Sequence, residues 1–220
     1  QQPWWKYNRL IEDYFARLSY ALSRGKRTMD TLVLHPIASA WAVYTPLNLK
    51  PAERLNGSLE WLVKTLLNLH RDYELGDEKV MKGHGKVEGS SLIIGKSRYI
   101  AVILPPTITL SRNTFNLLWK YVNGGGKLIA LKPTPHLIDG QKSREIQKVL
   151  SKAHIIEDRD EEALAKALEL IPLRVEISGA SGEKAQEVWY HLRQDGDQQQ
   201  ILFLANTSTE RGFQTTVKLQ

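Results

Sequence analysis

The feature that most constrains the fold is a series of short apolar runs that alternate with amphipathic segments. The clearest runs are "TLVLHP" at residues 31–36, "YIAVIL" at 99–104 and "KLIALKP" at 127–133. Segments such as "TLSRNTFNLLWKYVN" and "SREIQKVLSKA" stand between or after them and have helical apolar spacing. Strands that alternate with helices indicate a mostly parallel sheet with helices on both faces. We therefore predict an α/β domain with a flavodoxin-like sheet over residues 1–171.

The pattern changes at Pro172. The segments "LRVEISG", "AQEVWYHLRQDG" and "QQQILFLANTS" alternate apolar and polar residues and are separated by turn sequences. This alternation is typical of antiparallel strands, but a complete β-sandwich usually takes about 100 residues. We predict a partial antiparallel β module over residues 172–220, either as the start of a β-sandwich or as strands that lie across the α/β domain.

The first 53 residues carry two further expectations. Leu10, Ile11, Tyr14, Phe15 and Leu18 recur at three- and four-residue spacing, which predicts a helix with one buried stripe, ended by Gly25. Residues 38–53 contain two prolines and an aromatic pair, which favours a long ordered loop before a second helix.

Charge and composition bound the partners. The 220-residue chain has a formal net charge of +6, but its basic residues are spread along the sequence and mixed with acidic ones. Nucleic-acid binding requires a clustered patch, and a membrane span requires about 18 consecutive apolar residues. We therefore expect neither a nucleic-acid nor a membrane partner. The absence of cysteine excludes a disulfide, a thiolate metal site and a cysteine nucleophile.

The sequence offers little for cofactor, metal or catalytic chemistry. The turn after the first apolar run is His35-Pro36-Ile37, and neither GxGxxG nor a P-loop motif occurs, so we expect no cofactor. The six histidines form no HxH or HExxH pair, so we expect no metal. A hydrolase would need a nucleophile beside His136 and Asp139, and the preceding prolines cannot donate backbone hydrogen bonds to an oxyanion. We assign no catalytic residue.

Four aromatic residues remain as candidates for carbohydrate binding: Trp4, Trp5, Trp41 and Tyr44. A flat ring with a polar tip can stack on a sugar and donate a hydrogen bond. The alternative for Trp41 and Tyr44 is a packing role that fixes the loop to the core. For Trp4 and Trp5 both roles stay open.

The phrases "QPWW", "LVLHPIASAWAVYTP", "DYELGDE", "GKVEGSSLIIGKSRYIAVILPP" and "WKYVNGGGKLIALKPTP" occur in this order. Their sequence resembles the middle-to-C-terminal region of large bacterial α-L-rhamnosidase-like glycoside hydrolases. In that family a catalytic barrel precedes a domain similar to class I glutamine amidotransferases, and β-sandwich modules follow. The resemblance implies that residues 1–5 are the end of an upstream barrel, that the barrel is this domain's partner, and that Trp4 and Trp5 lie near its sugar site.

Three hypotheses follow. The first is a non-catalytic scaffold region of a multidomain glycoside hydrolase. The second is an independent carbohydrate-binding or protein-interaction module that uses the exposed aromatic residues. The third is a self-sufficient hydrolase that uses His136 and Asp139. No nucleophile accompanies these two residues in the sequence.

Overall fold

A computed structural model describes residues 2–220 of the chain. Seven helices occur in this part, after a short 3-10 turn at Trp5–Tyr7: α1 (Asn8–Ser23), α2 (Ile37–Val43), α3 (Lys50–Asn68), α4 (Glu78–His84), α5 (Arg112–Asn123), α6 (Ile146–Leu150) and α7 (Glu161–Leu168). None of these helices is long and apolar enough to cross a membrane.

Sixteen strands occur in the same residues. The first eight are β1 (Lys26–Arg27), β2 (Thr31–Leu34), β3 (Tyr73–Gly76), β4 (Gly85–Glu88), β5 (Ser91–Ile94), β6 (Ser97–Tyr99), β7 (Ala101–Leu104) and β8 (Thr109–Leu110). The others are β9 (Lys127–Leu131), β10 (Leu137–Ile138), β11 (Gln141–Lys142), β12 (His154–Ile156), β13 (Val175–Gly179), β14 (Val188–Asp195), β15 (Gln199–Asn206) and β16 (Thr215–Leu219).

The centre of the fold is a five-stranded sheet in the order β12-β9-β7-β2-β3. All four neighbouring pairs are parallel. Numbered by position in the chain, the strands lie in the order 2-1-3-4-5, which is one of the two common orders of doubly wound sheets. The predicted α/β class with a parallel sheet is therefore confirmed.

Helices cover both faces of this sheet. Leu32 and Leu34 of β2 pack in one core cluster with α4, α5 and α6, whereas Val33 packs in a second cluster with α3 and α7. Strands that are buried on both faces need apolar residues at every position, because successive side chains point to opposite faces. This is why β2 and β7 are continuous apolar runs without alternation.

The segment after Pro172 forms antiparallel pairs, as its alternating pattern predicts. Strand β13 pairs with β16, and β14 pairs with β15. These strands have their own small core, which is centred on Val175, Ile177 and Leu192. Strand β14 also pairs with β1. Residues 26–27, from the N-terminal part of the chain, therefore belong to the same sheet as β14 and β15.

Two expectations about the first 53 residues are wrong. Helix α1 forms where the periodicity predicts it, but none of its residues is buried. Residues 38–53 are mostly helical: α2 begins at Ile37 and α3 at Lys50. Pro51 lies in the first turn of α3, where backbone N–H groups make no intrahelical hydrogen bond. The lack of an N–H in proline therefore costs the helix no hydrogen bond.

Candidate functional site

Doubly wound sheets usually bind ligands at the carboxyl ends of the strands, where the strand order reverses. Here that point lies between β2 and β7. Prolines follow both strands, at Pro36 and at Pro105 and Pro106. The backbone N–H of Thr107 donates to the carbonyl of Pro133 at 3.0 Å, and its hydroxyl donates to the carbonyl of Pro105 at 2.6 Å. These donors are therefore used within the protein, and no glycine-rich cradle is present in the turns.

No hydrogen bond joins the side chains of His136 and Asp139 in the part of the chain that the structure describes. The Asp139 carboxylate accepts a hydrogen bond from the backbone N–H of Arg112 at 3.0 Å, at the start of α5. The side chain of His136 is exposed and makes no hydrogen bond among the described residues. Residues 2–220 also contain no cluster of three or more His, Asp or Glu side chains that could hold a metal ion.

Trp41 lies on α2, which a buried serine fixes to the core. The Ser39 hydroxyl donates to the carbonyl of Thr109 at 3.2 Å and accepts from the N–H groups of Ile108 and Thr109 at 2.9 and 3.1 Å. Ser39 is fully buried, yet its neighbour Trp41 is 62% exposed. The indole is thus presented to solvent from a helix whose position is well defined.

Trp41 forms one wall of an open cleft of about 380 Å³. The small side chains of Ala38 and Ala42 also line the cleft, and Ser111 and Asp139 add polar groups to the lining. The Nζ atom of Lys79 lies 5.7 Å from the Trp41 ring centroid. An exposed ring beside hydroxyl and carboxylate acceptors suits a sugar, whose C–H face stacks while its hydroxyls donate hydrogen bonds.

The other predicted aromatic residues do not line this cleft. Tyr44 is exposed at the C-terminal end of α2. Trp4 and Trp5 are exposed in the turn that precedes α1. Neither these three residues nor any residue of α1 lines the Trp41 cleft.

The sequence prediction missed Ser111 and the polar role of Asp139 in the lining of this cleft, and it missed Lys79 beside the Trp41 ring. They are separated from Trp41 by 38 to 98 positions, and each belongs to a different loop or helix end. No local motif connects them, so only the folded arrangement shows that they surround Trp41.

No protein-family model matches the chain, and no curated protein matches it. The crystal structure of apo exo-carrageenase GH42 from Bacteroides ovatus is similar, with a TM-score of 0.53 and 15% sequence identity. The match covers 90% of this chain and 24% of that chain. This chain therefore has a fold that occurs within a larger glycoside hydrolase. The likeness is one of fold, and it spans about a quarter of the similar protein.

Proposed function

We propose that this chain is a non-catalytic accessory domain of a multidomain glycoside hydrolase and packs against the catalytic barrel of the same polypeptide. The fold similarity to a part of a glycoside hydrolase supports this proposal. The 2-1-3-4-5 strand order supports the finer description as a flavodoxin-like domain of the glutamine amidotransferase type. An α-L-rhamnosidase-like parent is part of the proposal, and a carrageenan-degrading parent is the alternative.

The observation that carries this proposal is the exposed apolar face of α1. Leu10 is 71% exposed, and Ile11, Tyr14 and Phe15 are each more than half exposed. A helix in a globular protein is normally stabilised by burial of such a face, since isolated helices of this length are marginal in water. A contiguous apolar surface of this kind usually marks an interaction site. A barrel that covers α1, and Trp4 and Trp5 before it, would bury this surface.

A pair of variants tests the contact in the full-length parent. Leu10→Ser with Phe15→Ser changes the apolar face, and Arg9→Ser with Ala16→Ser is the control on the opposite face of α1, by the 3.6-residue repeat. We expect the first variant to lower the unfolding temperature of the parent by several degrees and to leave that of the isolated 220-residue chain unchanged. Equal effects on the parent from both variants would contradict the proposal.

Hydrolysis assays test the non-catalytic role. The parent and the 220-residue chain are compared on nitrophenyl glycosides, including the α-L-rhamnoside, and on carrageenan oligosaccharides. We expect activity in the parent alone. Turnover by the 220-residue chain would overturn the proposal and direct attention to His136, Asp139 and the Trp41 cleft.

A second candidate function, carbohydrate binding, is favoured by the Trp41 cleft. Loss of the ring in Trp41→Ala should abolish retardation of the chain in gels that contain the parent's polysaccharide. Trp5→Ala is the matched control, since Trp5 is equally exposed but lies outside the cleft. Retardation that persists in Trp41→Ala would refute this role for the cleft.

A further inference from the structure

A second cleft lies near the amino-terminal ends of strands β2 and β7. Its volume is about 520 Å³, and five cationic side chains line it: Lys26, Arg27, Lys96, Arg98 and Arg174. The same cleft contains two carboxylates, Asp30 and Glu74. Cations therefore outnumber anions in the lining.

Two of the arginines are held in place by carboxylates and keep one edge of the guanidinium unused. Arg27 donates through Nε and Nη2 to Asp72, and Arg174 donates through Nε and Nη2 to Asp30. The Nη1 groups of both arginines make no hydrogen bond among the described residues. A guanidinium that is already oriented in this way loses little conformational freedom when it binds an anion.

The two carboxylates of the lining accept hydrogen bonds from the protein's own side chains. Both oxygens of Asp30 accept from Arg174, and Glu74 accepts the hydroxyl of Tyr99. Lys26 and Lys96, in contrast, form no salt bridge among residues 2–220. All three arginines of the lining are in ion pairs, Arg27 with Asp72, Arg98 with Glu88 and Arg174 with Asp30. Lys26 and Lys96 therefore set two positive charges against the one carboxylate of Glu74, and they are, with the unused Nη1 groups, the donors open to an anion.

The remaining lining suits a polyhydroxylated ring. The hydroxyls of Thr28 and Ser97 lie in the same cleft as the apolar side chains of Ile100 and Pro172. Small-molecule sites commonly combine such apolar surface with a few polar groups and have volumes of roughly 300–1,000 Å³.

We propose that this cleft binds the sulfate or carboxylate group of an acidic saccharide. The anionic part of this proposal rests on the charge and geometry of the cleft. The choice of a saccharide rests on the proposed function as part of a glycoside hydrolase. The cleft is separate from the Trp41 cleft and shares no lining residue with it.

Isothermal titration calorimetry with the full 220-residue chain tests the proposal. The probes are a sulfated galactose oligosaccharide, a uronic-acid oligosaccharide, a neutral galactose oligosaccharide and inorganic sulfate. We expect one of the two acidic oligosaccharides to bind and the neutral one not to bind. The acidic probe that binds distinguishes sulfate from carboxylate recognition.

Two variants of equal charge separate a specific site from general attraction. Lys26→Gln with Lys96→Gln should weaken binding of the acidic oligosaccharide roughly tenfold, because each variant position removes one modest, solvent-exposed ion pair with the ligand. Lys64→Gln with Lys166→Gln removes the same charge from α3 and α7 and should change the affinity less than twofold. Both variants keep the two arginines and their carboxylate partners, so the fold should be retained, which circular dichroism checks.

Three results would overturn the proposal. Equal losses in the two variants would show attraction to net charge rather than a site. Equal affinity for the neutral and the acidic oligosaccharides would show that the cleft does not recognise the anionic group. Affinity for inorganic sulfate that equals the affinity for the sulfated oligosaccharide would overturn the assignment of a saccharide. None of these results depends on whether the parent hydrolyses rhamnosides or carrageenan.

Discussion

Replacement of His70 by alanine should destabilise the junction between the α/β domain and the C-terminal strands. His70 is fully buried at the end of α3. One ring nitrogen, Nε2, lies 3.1 Å from the carbonyl of Ala185, and Nδ1 lies 3.4 Å from the backbone N of Ile177. Because a carbonyl only accepts and an N–H only donates, the network assigns the proton to Nε2 and leaves Nδ1 as the acceptor.

The magnitude follows from the backbone N–H of Ile177, which His70→Ala leaves without a partner, whereas the carbonyl of Ala185 still accepts from the N–H of Val188 at 3.0 Å. A buried unsatisfied group costs about 1–3 kcal/mol, and we expect a loss of free energy of unfolding of this size. This is a large part of the 5–15 kcal/mol that is typical of the free energy of unfolding of a native protein. We expect a correspondingly lower urea midpoint at pH 7.5.

The same geometry makes the stability of the wild-type chain depend on pH. Burial lowers the pKa of His70 below its ordinary value of 6.5, and the charge of Lys184 acts in the same direction, against the hydrogen bond to Ala185. Between the unfolded and the lower folded pKa, the unfolded chain binds more protons. The His70 contribution is therefore complete above about pH 7 and is lost as the pH falls below 6.5, at about 1.4 kcal/mol per unit of pKa difference.

Urea unfolding of wild type and His70→Ala at pH 7.5 and pH 5.5, followed by tryptophan fluorescence, measures both effects. His154→Ala is the control for an exposed histidine. The pKa of His191 is also lowered, by burial and then by Arg27, and this contribution persists in both chains. The decrease in the free energy of unfolding between pH 7.5 and pH 5.5 should therefore be smaller in His70→Ala than in wild type. An equal loss in the two chains would refute the assignment of this pH dependence to His70.

Two further substitutions test the framework around the candidate sites. Ser39→Ala removes the hydroxyl that joins α2 to Thr109 and Ile108, so the free energy of unfolding should fall by about 1–3 kcal/mol in urea titrations; an unchanged midpoint would contradict the role of Ser39. Gly126→Ala places a Cβ 2.3 Å from Cε2 of the buried Tyr121 ring, and overpacking of this kind costs roughly 1–3 kcal/mol. Gly83→Ala is its control, since a Cβ there meets no atom within 4 Å, and equal unfolding temperatures for the two variants would refute the clash.

The three inner strands of the central sheet, β2, β7 and β9, could be predicted because they are buried on both faces. Their only polar residues are the first ones, Thr31 and Lys127, and these apolar runs therefore stand out from the amphipathic helices between them. The burial of α1 could not be predicted in the same way. Periodicity shows that a helix has an apolar face, but it does not show whether the covering surface belongs to the same folded unit.

The candidate sites were less predictable than the sheet. Sequence reasoning selected Trp41 because an aromatic ring with a polar tip can stack on a sugar, but the cleft around it depends on Ser111 and Asp139 from distant segments. The basic cleft gave no sequence signal at all. Its cations lie in pairs near residues 26 and 97 and singly at Arg174, and only the folding of β1, β6 and the start of the C-terminal segment brings them together.

The positions of the two clefts lead to a last prediction. The Trp41 cleft follows the carboxyl end of β2, whereas the basic cleft includes Met29 and Asp30, which precede its amino end. A strand of four residues spans about 13 Å, and substitutions more than about 10 Å apart without shared partners usually have additive free energies. If one acidic polysaccharide contacts both clefts, Trp41→Ala and the Lys26→Gln, Lys96→Gln pair should each weaken retardation in an affinity gel, and their combined effect should equal the sum of the two free-energy changes. A combined effect no larger than the greater single effect would show that the two clefts do not contribute independently to binding.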